Sequence, residues 1–231
     1  MSVATREWSE KDGLLRNSGL VLKHGFTTRR AGNMKDESKR EAAANTIGLS
    51  SPLTLKQVHG TVIHDAKAEN AGLEGDGWLL SGRGLAVGVY AADCVPLFLW
   101  AEDGKAAGVF HAGWRGTAKK MALAAVAAFR DRLGIPASKL FAATGPHIGA
   151  CCYKVGAELE KQFHAESFDR RDGSLWLDLA EETRRQLLEA GVLESRIGSP
   201  APCTSSNPDD YFSFRRDKQD ARMLAILSLD R

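Results

Sequence analysis

The stretch Gly88-Val-Tyr-Ala-Ala-Asp-Cys94-Val-Pro-Leu-Phe-Leu-Trp-Ala-Glu-Asp-Gly104-Lys-Ala-Ala-Gly-Val-Phe-His111-Ala-Gly-Trp-Arg115-Gly-Thr117 reads as a β-hairpin that carries reactive side chains. Two apolar runs, residues 95–100 and 106–111, flank the turn Glu102-Asp103-Gly104-Lys105, the pattern of paired strands joined by a short loop. A turn centred between Asp103 and Gly104 sets Cys94 opposite Gly113. His111 then lies two residues along from that partner, so both side chains leave the same face of the sheet. A bulge at Pro96, which has no N–H to give to a ladder, would change this register.

Outward from the hairpin, strand and helix patterns alternate. Residues 21–28 have strand character and end in Arg29-Arg30-Ala31-Gly32, which suits either an anion contact or an exposed basic turn. Residues 36–47 form a helix stopped at Gly48. Residues 53–63 read as strand, turn, strand around His59-Gly60, which puts His59 at a strand end. The glycine-rich loop 72–84, with Glu74-Gly75-Asp76-Gly77, matches neither a phosphate loop nor a dinucleotide fingerprint and receives no cofactor. Asp93 is read as a turn cap or as the orienter of a neighbouring group.

After the hairpin, Ala112 to Thr117 leads into a helix over 118–133 closed by Gly134, so Arg115 stands beside a helix start. There it can hold an anion or bond the carbonyls of its own turn. A strand at 140–144 runs into Gly145-Pro-His147-Ile-Gly149, a second anion-receptive corner, and helices follow at 156–163 and 178–190. Residues 203–217 read as a polar loop entering an aromatic, arginine-bearing strand, and 221–229 as a closing strand. The alternation favours an α/β (α+β) arrangement.

The chain has 231 residues with 43% apolar composition, enough for one substantial core, and is expected to be a single domain over 1–231 with residues 1–12 loosely held. Lys plus Arg number 31 against 29 for Asp plus Glu, with no block of like charge, which argues against nucleic-acid and membrane partners. The start lacks a signal-peptide core and no apolar run spans a bilayer. Cys94, Cys151, Cys152 and Cys203 form no disulfide framework, which fits a reducing compartment, so the expected location is cytoplasmic.

His59, Cys94 and His111 are the groups with metal-ligand chemistry at strand ends or on the hairpin face. Two imidazoles and one thiolate leave the fourth position of a tetrahedral zinc open, as catalytic sites do. A metal-free Cys94/His111 nucleophile and base pair uses the same residues.

Leu55-Lys-Gln-Val-His-Gly60, Ala92-Asp-Cys-Val-Pro-Leu97, His111-Ala-Gly-Trp-Arg-Gly-Thr117, Gly145-Pro-His-Ile-Gly149 with Cys151-Cys-Tyr153, and Tyr211-Phe-Ser-Phe-Arg-Arg-Asp217 together resemble the successive motifs of the YfiH family. That family also carries laccase-like, multicopper polyphenol oxidase and purine nucleoside phosphorylase labels. His147 stands where the family often has cysteine. The resemblance implies mixed β-sheets layered between helices in an α/β/β/α arrangement, distantly similar to the cysteine-histidine deamidase toxins. It implies a zinc site at His59, Cys94 and His111; beside it, Arg115, and further Arg29 and Arg216, are the candidates to hold phosphate. The implied activity is phosphorolysis of adenosine, inosine, guanosine and methylthioadenosine, with adenosine deamination, by a monomer or small homo-oligomer. The alternatives are a copper-dependent polyphenol oxidase, a metal-free Cys/His hydrolase, and a zinc-stabilised partner-binding protein without activity.

Overall fold

The computed structural model describes residues 8–198 and 201–231, and it holds the hairpin in the expected register. Val95 faces Ala112, Pro96 faces His111 and Trp100 faces Ala107, with no bulge at Pro96. In chain order the first elements are β1 (Trp8–Lys11), β2 (Leu14–Asn17), β3 (His24–Thr27), α1 (Glu37–Asn45), β4 (Leu53–Thr54), β5 (Ile63–Asp65), β6 (Gly77–Leu80) and β7 (Ala86–Ala91). The hairpin strands β8 (Val95–Ala101) and β9 (Ala107–Ala112) follow, then α2 (Trp114–Ala118), α3 (Met121–Leu133) and β10 (Leu140–Thr144). The rest are β11 (Lys154–Val155), β12 (Phe168–Arg171), β13 (Ser174–Leu177), α4 (Leu179–Glu189), α5 (Phe214–Asp217) and β14 (Met223–Ser228).

Two mixed sheets stack on each other. One has the order β1-β2-β3-β14-β7-β4 and the other β10-β8-β9-β6-β5, with a small sheet β11-β13-β12 beside them. Side-chain alternation decides the layers. Met223, Ala225 and Leu227 of β14 meet Phe98 and Trp100 of β8 between the two sheets, around Phe26 and Trp78. The alternate residues Leu224 and Ile226 turn outward onto Ala43, Ala44 and Ile47 of α1 and its end. Leu97, Leu99 and Phe110 turn the other way, onto Met121, Val126 and Phe129 of α3 and Leu187 of α4. The arrangement is the expected α/β/β/α. It explains why β8 and β14 are buried at every position: each has a packed layer on both faces.

Several local expectations are corrected. β4 and β5 do not form a hairpin around His59; they join different sheets, parallel to β7 and β6 respectively. The helix expected over 118–133 is two helices, broken where Lys120 takes a left-handed conformation at φ 66. The long helix α3 therefore starts beyond Arg115. Residues 157–162 form a 3-10 helix, and the arginine-bearing segment before β14 is the short helix α5, not a strand. Trp8–Lys11, expected to be loose, pairs with β2; residues 1–7 lie outside the described residues. β14 lies between β3 and β7, inside its sheet. No helix among the described residues is long and apolar enough to cross a membrane.

His24 sits in this core, 5% exposed. Its Nδ1–H donates to the Leu22 carbonyl at 2.7 Å, and its Nε2 accepts from the Asn17 amide at 2.8 Å. A second proton would remove that acceptor, and burial already holds the imidazole down at about 4. The unfolded chain takes up the proton near 6.5 while the folded chain refuses it. The stability from this group is thus complete above 6.5 and declines as the pH falls toward 4. At about 1.4 kcal/mol per pH unit, the loss approaches ~3 kcal/mol. Urea unfolding midpoints measured between pH 6.5 and 4.5 should fall, and the slope should flatten in His24→Gln. A flat parent profile would remove this role.

Candidate active site

Cys94 lies at the corner where the chain leaves β7 in one sheet and enters β8 in the other. The corner turns on Asp93, at φ 91. Asp93 holds it by accepting from the Thr204 hydroxyl at 2.7 Å and from the Arg215 amide at 2.6 Å. His111 ends β9 on the neighbouring strand and is 3% exposed. Gly113 is opposite Cys94, and its lack of a side chain is required: a Cβ there would lie 2.8 Å from the Cys94 sulfur and 2.9 Å from the His59 ring.

His59 arrives on the loop after β4. The Gln57 side chain extends the strand pairing by donating to the Tyr90 carbonyl at 2.9 Å and accepting from the Tyr90 amide at 2.6 Å. The turn beyond it, with His59 at φ 58, closes on Asp76. Asp76 is fully buried and accepts from the amides of Val58, His59 and Gly60 at 3.2, 3.0 and 2.7 Å, and from His111 Nδ1–H at 2.8 Å. One carboxylate therefore shapes the His59 loop and sets the His111 tautomer, which leaves His111 Nε2 as the free ligand atom.

The ligand atoms of His59, Cys94 and His111 all lie within 4.8 Å of one another, with the two imidazole rings edge to face at 4.9 Å. Burial pushes the Cys94 thiol up, but the charge and hydrogen bonds of His111 and His59 outweigh it and bring it down to about 6. Burial pushes His111 down, and the Cys94 thiolate and Asp76 outweigh that and raise it to about 9. Burial likewise opposes ionisation of Asp76, yet the His111 and Gly60 donors keep it below its ordinary value. The spacing and softness of this donor set fit a three-ligand divalent metal with one position open.

These residues floor a cleft of about 790 Å³. Lys35, Lys56, Arg115, Arg215, Lys218 and Arg222 line it against one acid, Asp93, so the cleft is far more positive than the net charge of +2. Lys35 and Arg222 pair with Asp220, and Lys56 pairs with Glu74. Arg115, Arg215 and Lys218 have no carboxylate partner among the described residues. Arg115 stacks on the Trp114 ring at 4.2 Å and Arg215 on Tyr153 at 5.0 Å.

Residues 33–230 match the family model described as multi-copper polyphenol oxidoreductase laccase. The chain is 33% identical to the purine nucleoside phosphorylase of Deinococcus radiodurans, over 94% of this chain and 93% of that protein. The chain belongs to this family. It is also 34% identical to adenosine deaminase RL5 of an unknown prokaryotic organism, over 66% of this chain and 61% of that protein. The crystal structure of YlmD from Geobacillus stearothermophilus has the same fold, with a TM-score of 0.89 at 29% identity over 97% of this chain and 99% of that one.

The laccase-like name of the family suggests several coppers, and the other histidines do not gather to supply them. His24 and His147 are buried on backbone carbonyls, His64 bonds the Glu74 carbonyl, and His164 bonds Glu182. His147 is thus a packed residue of its corner and not an anion contact. Of the arginines expected to hold phosphate, Arg115 faces the cleft. Arg29 and Arg216 lie outside it, both paired with Asp217, and Arg216 also bonds the Thr204, Ser205 and Tyr211 carbonyls. Its neighbour Arg215 takes the cleft-facing position. Asp76, Arg215 and Tyr153 are the site residues that sequence reasoning missed. For Asp76 the available signal was an acid between two glycines directly before the apolar strand β6.

Proposed function

We propose that residues 1–231 form one cytoplasmic catalytic unit, a metal-dependent purine nucleoside enzyme. Its reaction is phosphorolysis of adenosine, inosine, guanosine and methylthioadenosine to the base and the ribose 1-phosphate, or its methylthio analogue, with adenosine deamination beside it. The observation that carries this reading is the juxtaposition of the His59/Cys94/His111 donor set with the unpaired guanidiniums of Arg115 and Arg215 on one cleft. The names of the phosphorylase and deaminase relatives support it.

A zinc held by these three residues would supply a Lewis acid with one open position for water or a substrate oxygen. The protein's own groups do the rest. Arg115 and Arg215 grip the phosphate, neutralise it and orient one oxygen toward the anomeric carbon. As that bond forms, the bond to the base breaks, and the departing purine nitrogen needs a proton or a hydrogen bond. Tyr153 lines the cleft, and its hydroxyl is pushed up by burial and by the Cys94 thiolate, so it stays a donor. Trp114 and Phe214 offer apolar faces to a purine ring. In deamination, water replaces the amino group at purine C6 and ammonia leaves.

Zinc-loaded protein incubated with purine nucleosides, with and without phosphate, and analysed by chromatography tests the reading. Free base that appears only with phosphate identifies phosphorolysis; inosine from adenosine without phosphate identifies deamination. If neither forms while control enzymes convert the same substrates, the reading is wrong. Arg115→Ala and Arg215→Ala should each raise the KM for phosphate about 10- to 100-fold, since a charge-assisted contact contributes roughly 1.5–3 kcal/mol. The same variants should change deamination far less.

The Asp76–His111–Cys94 chain favours one second reading, a metal-free thiol hydrolase, because a carboxylate, an imidazolium and a thiolate in sequence make an activated nucleophile. Chelation separates the two: the thiol mechanism keeps its turnover without metal, and the metal-dependent one loses it.

A further inference from the structure

Away from the cleft, three thiols from two separate segments converge. Cys151 and Cys152 follow the Gly149 turn, with their sulfurs 3.5 Å apart. Cys203 comes from the loop that precedes α5, and all three sulfurs lie within 4.8 Å of one another. The Gly149 amide donates to the Cys203 sulfur at 3.2 Å, which orients it and favours its thiolate. Asn207 fixes the same loop by donating to the Cys203 carbonyl at 2.7 Å. Cys151 is exposed and the other two are partly so, which leaves the cluster open to solvent.

We propose that Cys151, Cys152 and Cys203 form a second metal site, a three-thiolate site for the soft monovalent cation Cu(I). Three sulfurs in a trigonal plane around one ion, at about 2.3 Å each, lie about 4 Å apart. The observed separations, from 3.5 Å for the vicinal pair to at most 4.8 Å, bracket that value. The three form a group of their own, with no fourth histidine, cysteine or carboxylate in it among the described residues. Structural zinc wants four ligands, and calcium and magnesium want oxygens, whereas three thiolates suit a soft d¹⁰ ion. A competing vicinal disulfide is disfavoured. Adjacent α-carbons across a trans peptide are about 3.8 Å apart, short of the roughly 4.4–6.8 Å that unstrained disulfides span.

The position gives the site a consequence. Cys152 precedes Tyr153 on the cleft wall, and Cys203 precedes Thr204, whose hydroxyl holds Asp93 beside Cys94. An ion there ties together two loops that otherwise meet through the Gly149 amide on the Cys203 sulfur and through backbone bonds such as Thr204 N–H to the His147 carbonyl at 2.8 Å. Binding to the folded state alone stabilises it.

The test titrates the reduced full chain, without oxygen, with Cu(I) buffered by bicinchoninate. The parent and Cys94→Ala should each take up one tight equivalent that Cys151→Ser and Cys203→Ser bind about a hundredfold more weakly. X-ray absorption should show three sulfur neighbours, and the melting temperature should rise with Cu(I) in the parent and not in the two variants. Cys151 is exposed, so Cys151→Ser keeps its fold and its nucleoside turnover. The proposal is overturned if both serine variants bind Cu(I) like the parent, if Cys94→Ala alone abolishes uptake, or if the cluster takes Zn(II) in preference.

Discussion

Cys94→Ala should remove nucleoside turnover from a protein that still folds, by about a thousandfold or more, or roughly 4 kcal/mol of barrier at 1.4 kcal/mol per decade. Cys94 is one of three groups placed to hold an ion, and alanine would leave two imidazoles for it. The substitution also takes the thiolate partner from His111, whose raised affinity for a proton depends first on that charge and then on Asp76. Little packing is lost, because Cys94 is only half-buried and alanine removes a single sulfur atom. Melting temperatures of variant and parent, compared in chelator so that metal stabilisation is absent from both, should agree within a few degrees; about 1 kcal/mol moves a chain of this size by roughly 2–4 °C. Zinc content should fall with turnover. A zinc-stabilised binding protein behaves differently: its parent shows no turnover to lose, and the substitution shows up only as lower stability with metal present. Turnover preserved in Cys94→Ala would sink the catalytic assignment.

What made Cys94 and His111 legible in the sequence was hairpin arithmetic. The turn residues Asp103 and Gly104 set the register, the register set the face, and Pro96 did not disturb it. His59 was legible only by residue type and motif. The strand-turn-strand expected around it does not exist, because β4 and β5 are too short and belong to different sheets. Its position depends on Asp76, which meets it across a sequence separation that no local pattern reports. The α/β class was readable from the alternation of strand and helix patterns and the layering only from the resemblance to the YfiH family, but the place of β14 from neither. An apolar strand at the end of a chain reads the same whether it closes a sheet or fills its middle. Arg215 and Arg216 show the same limit at one residue's resolution. Adjacent side chains diverge: Arg216 is held by Asp217 and the Thr204, Ser205 and Tyr211 carbonyls, while Arg215, its amide on Asp93, faces the cleft.

Asp76→Asn should separate positioning of the site from catalysis within it. The carboxylate accepts three amides and one imidazole N–H; the asparagine amide keeps one oxygen and turns an NH₂ toward donors that need acceptors. Loss of two or more charge-assisted bonds in a fully buried position is expected to destabilise the fold by about 2–4 kcal/mol, read as a lower urea midpoint. Zinc affinity and turnover should fall about 10- to 100-fold, the range for groups that orient a metal-bound histidine. That loss should persist at temperatures where the variant is fully folded, which a general destabilisation would not produce. The pH dependence has a definite sign. Asp76 titrates below its ordinary value in the folded chain, so its contribution is complete above about 3.8 and disappears as the pH falls through the folded value. The variant should therefore lose less stability than the parent on acidification below pH 4. Unchanged zinc affinity in folded Asp76→Asn would mean that His59 and His111 hold their positions without the shared carboxylate, and the site would have to be rebuilt from β9 alone.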